Sequence, residues 1–476
     1  MLIVSIAWKN VWRNRKRSLI VIIAVLLGTA AGVFTSGLMV GWVKQRTHSL
    51  VYTETGHIKI HHPDFLKNEE LNLLVPHATD LSAFLGQQPA VKASSERLKC
   101  MVMAATSRGT TGMTLQGVDP VKEMAVSDLH THLIPNTGGY LDSKTPGSIL
   151  ISDRTAELLK IKTYVLTEEK RVQLNQNGVP TSVTDKLTDL DNVRYHTEKR
   201  YQRILSERLT AEEIRKYGSA LTSEAIQYRL RSKIICTLNG MDGNMVSQSF
   251  KVGGIYKTTN AVFDLTTAYV LKSDLAQLTG LTINDFHEIG LILNDEEAMK
   301  PLQDAIRNHF PTVSVQNWLE ISPEAGILSE YMDFFYYILM GFILFALAFG
   351  ILNTMLMAVL ERTKELGMLM AIGMSRKRIF TMIMLESIFL TLTGSVFGMG
   401  VGWAIITITG QTGLDFSIIG EGFEAMGWSA VIYPSITPDF FLGVTLLVVL
   451  TGLLAAIIPA RRALALIPVE ALKTDN

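Results

Sequence analysis

Cysteine is nearly absent: Cys100 and Cys236 are the two thiols in 476 residues. That excludes a disulfide-dense secreted scaffold and any four-cysteine metal site. Charge is scarce, at 18% Asp, Glu, Lys and Arg, below the roughly one quarter of soluble domains. Neither sign is in excess, with 44 basic and 44 acidic residues, so the chain as a whole has no field to draw in nucleic acid. The dipeptide Gly-Lys never occurs, and with it goes any G-x-x-x-x-G-K-[ST] loop to cradle nucleotide phosphates. There is no G-x-S-x-G nucleophile elbow. HEIGL at His287 starts like H-E-x-x-H but carries Leu291 where the second zinc ligand belongs. His57 and His61 share one face of the strand-like GHIKIHH, with His62 opposite. Lacking carboxylate or thiolate neighbours, they read as surface histidines. No catalytic, metal or cofactor site is expected in this chain.

What is abundant is apolar sequence, and it is clustered. Hydrophobic residues make up 48% and mean hydropathy is +0.25. Ser18–Val43, Phe334–Leu360 and Phe440–Ala460 carry no charge, and a fourth stretch between Arg378 and Asp415 is interrupted only by Glu386. A hydrocarbon core of about 30 Å needs about 20 helical residues, so each stretch is long enough to span. The first follows a basic run, as a signal peptide does, but exceeds the usual 7–15 apolar residues and reads as an uncleaved anchor.

Charge asymmetry sets orientation. Lys9, Arg13, Arg15, Lys16 and Arg17 precede span one. Arg362, Lys364, Arg376, Lys377 and Arg378 fill the loop between spans two and three, and Arg461, Arg462 and Lys473 follow span four. Ile379–Ala460 contains no Lys or Arg, while the loop between spans three and four holds Asp415, Glu421, Glu424 and Asp439. The positive-inside rule places both termini and the short loop in the cytoplasm and the long segment outside. The expected organisation is an amphipathic helix over 1–17, spans over 18–43, 334–360, 379–409 and 440–460, an extracytoplasmic domain over 44–333, a cytoplasmic segment over 361–378, an outer loop over 410–439 and a tail over 461–476. The fold class is therefore an α-helical membrane protein of four transmembrane helices with a large α/β (α+β) domain between the first two.

Within 44–333, strand-like alternation marks 56–62, 98–106, 113–118, 148–152, 234–238, 250–256, 288–293 and 312–318, with helices over 272–279 and 296–308. Pro301 belongs in the first turn of the latter. A charged stretch, 168–233, reads as a solvated helical insertion or a docking element; ILSERLTAEEIRKYG and SEAIQYRLRSK look helical. Cys100 and Cys236 lie where a disulfide is possible, or are buried thiols.

Gly394, Gly398 and Gly402 lie four apart on one face of span three, and Gly28 and Gly32 repeat the spacing in span one, followed by Gly37 and Gly41. Such steps let helices approach closely, either within the chain or across a subunit interface. Glu386 sits shallow in its span, where an ion pair with a basic neighbour is favoured over a proton relay. Val4, Trp8, Val11 and Trp12 oppose Lys9, Arg13 and Lys16 on a helix suited to the membrane interface. ERTKELGMLMAIGMSRKR mixes charge with an apolar face, Leu366, Leu369 and Met370, suited to a groove on a soluble partner.

AWKNVWRNRKRS, ERTKELGMLMAIGMSRKRIF and PARRALALIPVEAL resemble the FtsX/MacB-type ABC transporter permeases, and the layout matches along the chain. GHIKIHHPDF, LQGVDPVKE and SFKVGGIYKTTNAVFDLTTAYV look most like the lipoprotein-releasing LolC/LolE type. The resemblance implies a second permease, identical or related, around a separate ATPase that uses ATP and Mg. It also implies a bacterial inner-membrane location with a periplasmic domain, envelope cargo such as lipoproteins, and a possible periplasmic carrier. The segment Glu361–Ile372 would be the coupling helix on the ATPase, through Glu361, Arg362, Glu365, Leu366, Gly367, Leu369, Ala371 and Gly373. Peptide or drug efflux in the MacB manner, though that permease usually has its ATPase fused at the N-terminus, and FtsX-like signalling to cell-wall hydrolases are the alternatives.

Overall fold

A span crossing hydrocarbon has no water to satisfy its backbone, and a single apolar stretch of about 20 residues meets that need within itself only as a helix. The computed structural model describes residues 2–13, 15–416, 422, 428–436 and 438–464. Glu421, Glu424, Lys473 and the IPVEAL of the last motif lie outside the described residues. Four described helices are long and apolar enough to cross a membrane, within Ser18–Thr55, Phe334–Glu361, Arg376–Thr412 and Gly443–Leu464. The first runs over Arg15–Ser49 and passes into a π-helical turn, Leu50–Thr55, ended by Gly56 at φ 85°.

Two units divide the chain: a membrane unit (1–45, 327–419 and 430–476) and an outer unit (46–326 and 420–429). The membrane unit buries Val25, Met340, Leu344, Ile383, Leu390, Val444 and Val448 among its helices. The Ser387 hydroxyl donates to the Gly452 carbonyl at 3.0 Å, tying the third span to the fourth.

The outer unit contains strands β1 (Ile58–His61), β2 (Val91–Ala105), β3 (Thr110–Val118), β4 (Leu133–Gly138), β5 (Ser148–Ser152), β6 (Lys162–Val165), β7 (Arg194–Tyr195), β8 (Ile226–Tyr228), β9 (Lys233–Asn239), β10 (Met245–Tyr256), β11 (Thr267–Leu271), β12 (Glu288–Leu293) and β13 (Ser314–Asn317). Strands β13, β1, β12 and the first half of β2 form an antiparallel sheet. It covers Leu81, Leu85, Leu302 and Ile306 from helices Ala78–Gly86 and Met299–His309. The second half of β2 pairs with β3 and β9, and the pairings β3–β11, β11–β5, β5–β10 and β10–β9 close a six-stranded ring. Its interior holds Val102, Leu115, Ile151, Phe250 and Val270. Cys100 and Cys236 are free and buried in this interior, where burial pushes each thiol up to about 12.

The eight expected strands and both late helices are present, with Pro301 in the first turn of its helix. Strands β4, β6, β7, β8 and β11 were not anticipated. The charged stretch needs correction. Its Leu187, Tyr201, Leu205 and Leu221 form a core of their own with Tyr164 just before it, and its β7 and β8 flank β6 in a three-stranded sheet. SEAIQYRLRSK is helical only to Ala225, after which Ile226–Tyr228 pairs with β6. The surface reading of His57 and His61 is also overturned: both are buried, because β1 lies between β12 and β13 and both its faces are covered. The Leu293 N–H donates to His57 Nδ1 at 3.3 Å, and His61 Nε2 meets Gln316 Oε1 at 3.1 Å.

Where β2 passes from one sheet to the other, five ionisable groups are buried together. Arg97 Nη2 and Nε donate to Glu123 at 2.7 and 3.1 Å, and Nη1 reaches Glu288 at 3.2 Å. Lys99 Nζ lies 2.8 Å and Lys59 Nζ 3.5 Å from Glu288. Burial alone would raise the Glu288 carboxyl; Lys59, Lys99 and Arg97 overcome it and hold the group well below the usual carboxylate range. Burial lowers the Lys59 ammonium to about 8 in spite of Glu288. Removing one member of such a group strands the others without water. Arg97→Leu is expected to cost about 3–5 kcal/mol of outer-unit stability, read as a lower denaturant midpoint in chemical unfolding of the full chain.

Candidate functional site

The short helix Thr363–Ala371 lies between the second and third spans. Gly373 at φ 100°, a backbone conformation that L side chains resist, turns the chain into the next helix, which starts at Arg376. That gives one of the expected coupling residues a backbone role. Leu366 and Gly367 are buried and Leu369 half-buried, packed on the membrane unit's core. Glu361, Glu365 and Ala371 are exposed. The apolar face expected on a partner, Leu366, Leu369 and Met370, is therefore corrected: all three pack on the membrane unit's own core. The exposed large apolar residues of the segment are instead Met368 and Ile372, 52% and 78% exposed. With Lys364 they recur every four residues, one helix face, a spacing that the sequence already carried.

Arg362 secures this helix. Its Nη1 is 2.7 Å from Glu386 Oε1 in the third span, both side chains largely buried, and its Nη2 donates to the Asn10 carbonyl at 3.3 Å. Glu386 is thus an ion-pair partner, as its depth suggested. The N-terminal helix, Leu2–Arg13, packs Ala7 and Val11 inward. It leaves Trp8 and Trp12 half-exposed, with Trp8 edge-on to Phe389 at 5.3 Å. Arg13 forms an ion pair with Glu365; both are about half-exposed, so the pair contributes at most about 1 kcal/mol. A cleft of about 340 Å³ lies among Ile6, Arg13, Arg362, Leu366, Met382 and Glu386. No cluster of three metal-ligating side chains occurs among the described residues.

The glycine stripe resolves in favour of packing within the chain. A methyl group on Gly394 would lie 2.7 Å from Val25 Cβ, on Gly398 2.6 Å from the Leu26 carbonyl, and on Gly402 2.9 Å from Val33 Cβ. These are first-span atoms, so the third span lies directly on the first. Gly28 and Gly32 face Leu347 and Met340 of the second span.

Residues 337–468 match the family of FtsX-like permease C-terminal domains. That stretch is similar to such a domain. The chain is 28% identical over 245 residues to the uncharacterized ABC transporter permease YknZ of Bacillus subtilis strain 168, covering 50% of this chain and 56% of that one. It is 37% identical over 121 residues to the macrolide export ATP-binding/permease protein MacB of Campylobacter fetus subsp. fetus, covering 25% of this chain and 16% of MacB. The matches thus span about half of one relative and a sixth of the other. The periplasmic region of MacB from Actinobacillus actinomycetemcomitans overlaps at 10% identity with a TM-score of 0.30, covering 58% of this chain and 94% of that one. The Gly373 turn, the Arg362–Glu386 pair and the glycine seam all belong to the matched segment or lie against it.

The seam makes a contrast within a single helix. Gly398→Ala is expected to destabilise the chain by about 1–3 kcal/mol through overpacking. Gly400→Ala, where an added methyl meets nothing within 4 Å, is expected to be neutral. Thermal melting of the two variants in detergent distinguishes them.

Proposed function

We propose that the chain is the permease subunit of an ABC transporter of the MacB/YknZ type, driven by an ATPase on a separate polypeptide that uses ATP and Mg. The observation that carries this reading is the Lys364, Met368 and Ile372 face, presented by a short helix that Leu366 and Arg362 anchor to the spans. A rigid helix with an exposed apolar face suits a groove on a soluble domain, and anchoring at both ends lets force applied there reach the second and third spans. The permease works as a pair with an identical or related permease. The sorting of basic residues supports cytoplasmic termini and a periplasmic outer domain at the bacterial inner membrane. The experiment is co-purification with the ATPase and its turnover in nanodiscs. Met368→Asp with Ile372→Asp is expected to release the ATPase and cut stimulated turnover by more than about tenfold, roughly 1.4 kcal/mol of coupling, with membrane insertion intact. Unchanged co-purification and turnover would sink the docking assignment.

For cargo, we infer release of lipoproteins toward a periplasmic carrier, on the resemblance of GHIKIHHPDF, LQGVDPVKE and SFKVGGIYKTTNAVFDLTTAYV. Export of smaller molecules is the second reading, favoured by the name of the MacB relative. Depletion of the chain is expected to leave outer-membrane lipoproteins in the inner membrane, read by fractionation. Normal sorting together with increased macrolide sensitivity would favour export.

A further inference from the structure

On the outer unit, the tip of the β2–β3 turn and the segment Arg229–Lys233, which returns the chain from the insertion to β9, border a cleft of about 860 Å³. Thr106, Ser107, Arg229, Arg231, Lys233 and Ile235 line it, and no carboxylate does among its described lining residues. Beside it, Arg108 Nη1 lies 3.2 Å from His196 Nε2. Burial first, then Arg108, Arg229, Arg194 and Lys160, all push the His196 imidazole below its ordinary value. Arg229 is likewise lowered by burial, Arg108 and Arg194. Arg229 Nε and His196 Nδ1 are buried without a hydrogen-bond partner among the described residues. Elsewhere in this unit buried cations are matched: Arg97 has Glu123 and Glu288, and Lys162 has Asp153. Here cations gather round one another with orphaned nitrogens, an arrangement that costs free energy unless an anion fills it.

The cleft also has an apolar margin. Ala105 pairs with Ile235 and Met103 with Thr237 on the outer face of the strand ring. Met101, Met103 and Ile235 are 63%, 55% and 50% exposed there. Guanidinium forks match tetrahedral oxyanions in geometry as well as charge, and an exposed apolar patch beside them suits a ligand with a hydrocarbon part. We propose that this cleft binds the phosphate group of an anionic amphiphile, with Arg108 and Arg229 on its oxygens and Met103 and Ile235 along its chain. The assignment is independent of the transport reading, because binding needs no ATPase.

The test titrates short-chain phosphatidylglycerol, short-chain phosphatidylcholine and inorganic phosphate into the full chain in phosphatidylcholine nanodiscs, by calorimetry. Saturable binding of phosphatidylglycerol in preference to phosphatidylcholine is expected, weakening with salt. Arg108→Gln with Arg229→Gln should lower that affinity at least about tenfold, the scale of one or two lost charge-assisted hydrogen bonds. Arg108→Lys with Arg229→Lys, which keeps the charges and removes the forks, should fall between the two and controls for folding. Met103→Ser with Ile235→Ser should weaken lipid binding and leave inorganic phosphate binding unchanged. Equal binding of the two lipids, or full affinity in the glutamine variant, overturns the site. Phosphate binding with lipid affinity untouched by the Met103 and Ile235 changes overturns the amphiphile and leaves free phosphate as the ligand.

Discussion

The outer unit depends on one strand serving two sheets. β2 is 15 residues long, pairing with β12 through its first half and with β3 and β9 through its second. At the handover neither sheet's apolar interior continues, and Ser95, Arg97 and Lys99 occupy that stretch. Arg97 is the group that makes the junction tolerable. Its planar fork satisfies Glu123 on one edge and reaches Glu288 on the other, and two lysines balance what remains. Such a network contributes geometric definition more than net stability, since desolvation consumes much of its Coulombic gain.

A different constraint governs the membrane unit. Between helices surrounded by lipid there is no hydrophobic drive, so attraction comes from close contact and hydrogen bonding. The third span meets both needs. Glycines at every fourth position bring its backbone onto the first span, while Ser387 and Thr391 face Gly452 of the fourth. The short helix after the second span inherits this rigidity through Arg362, which joins the end of the second span to Glu386 and to the Asn10 carbonyl. Leu366 and the Arg362–Glu386 pair hold the short helix against the spans from behind, leaving Met368 and Ile372 exposed on its other side.

Much of this was legible beforehand where the signal is local. Ser148–Ser152, Lys272–Thr279 and Glu288–Leu293 match their expected bounds because alternation and helical periodicity are written in neighbouring residues. The five unanticipated strands of the outer unit are mostly short, and Thr267–Leu271 is buried on both faces, so it lacks alternation. His57 and His61 were misjudged for the same reason: period two distinguishes faces but does not say whether both are covered. Leu366 was placed on the wrong side because its helix has apolar residues around much of its circumference.

The sequence by itself determined the four long apolar runs, the sorting of basic residues around them, the charged segment between the first two and the absence of any Gly-Lys dipeptide. These are read along the chain and do not depend on how it folds back. The tertiary structure alone decided which surface each glycine stripe meets, that Arg362 takes Glu386, that the charged stretch has its own core, and that Arg108, Arg194, Arg229 and His196 converge. Those contacts join residues up to hundreds of positions apart. Composition and periodicity carry no record of such pairings, because the geometry of packed elements selects them.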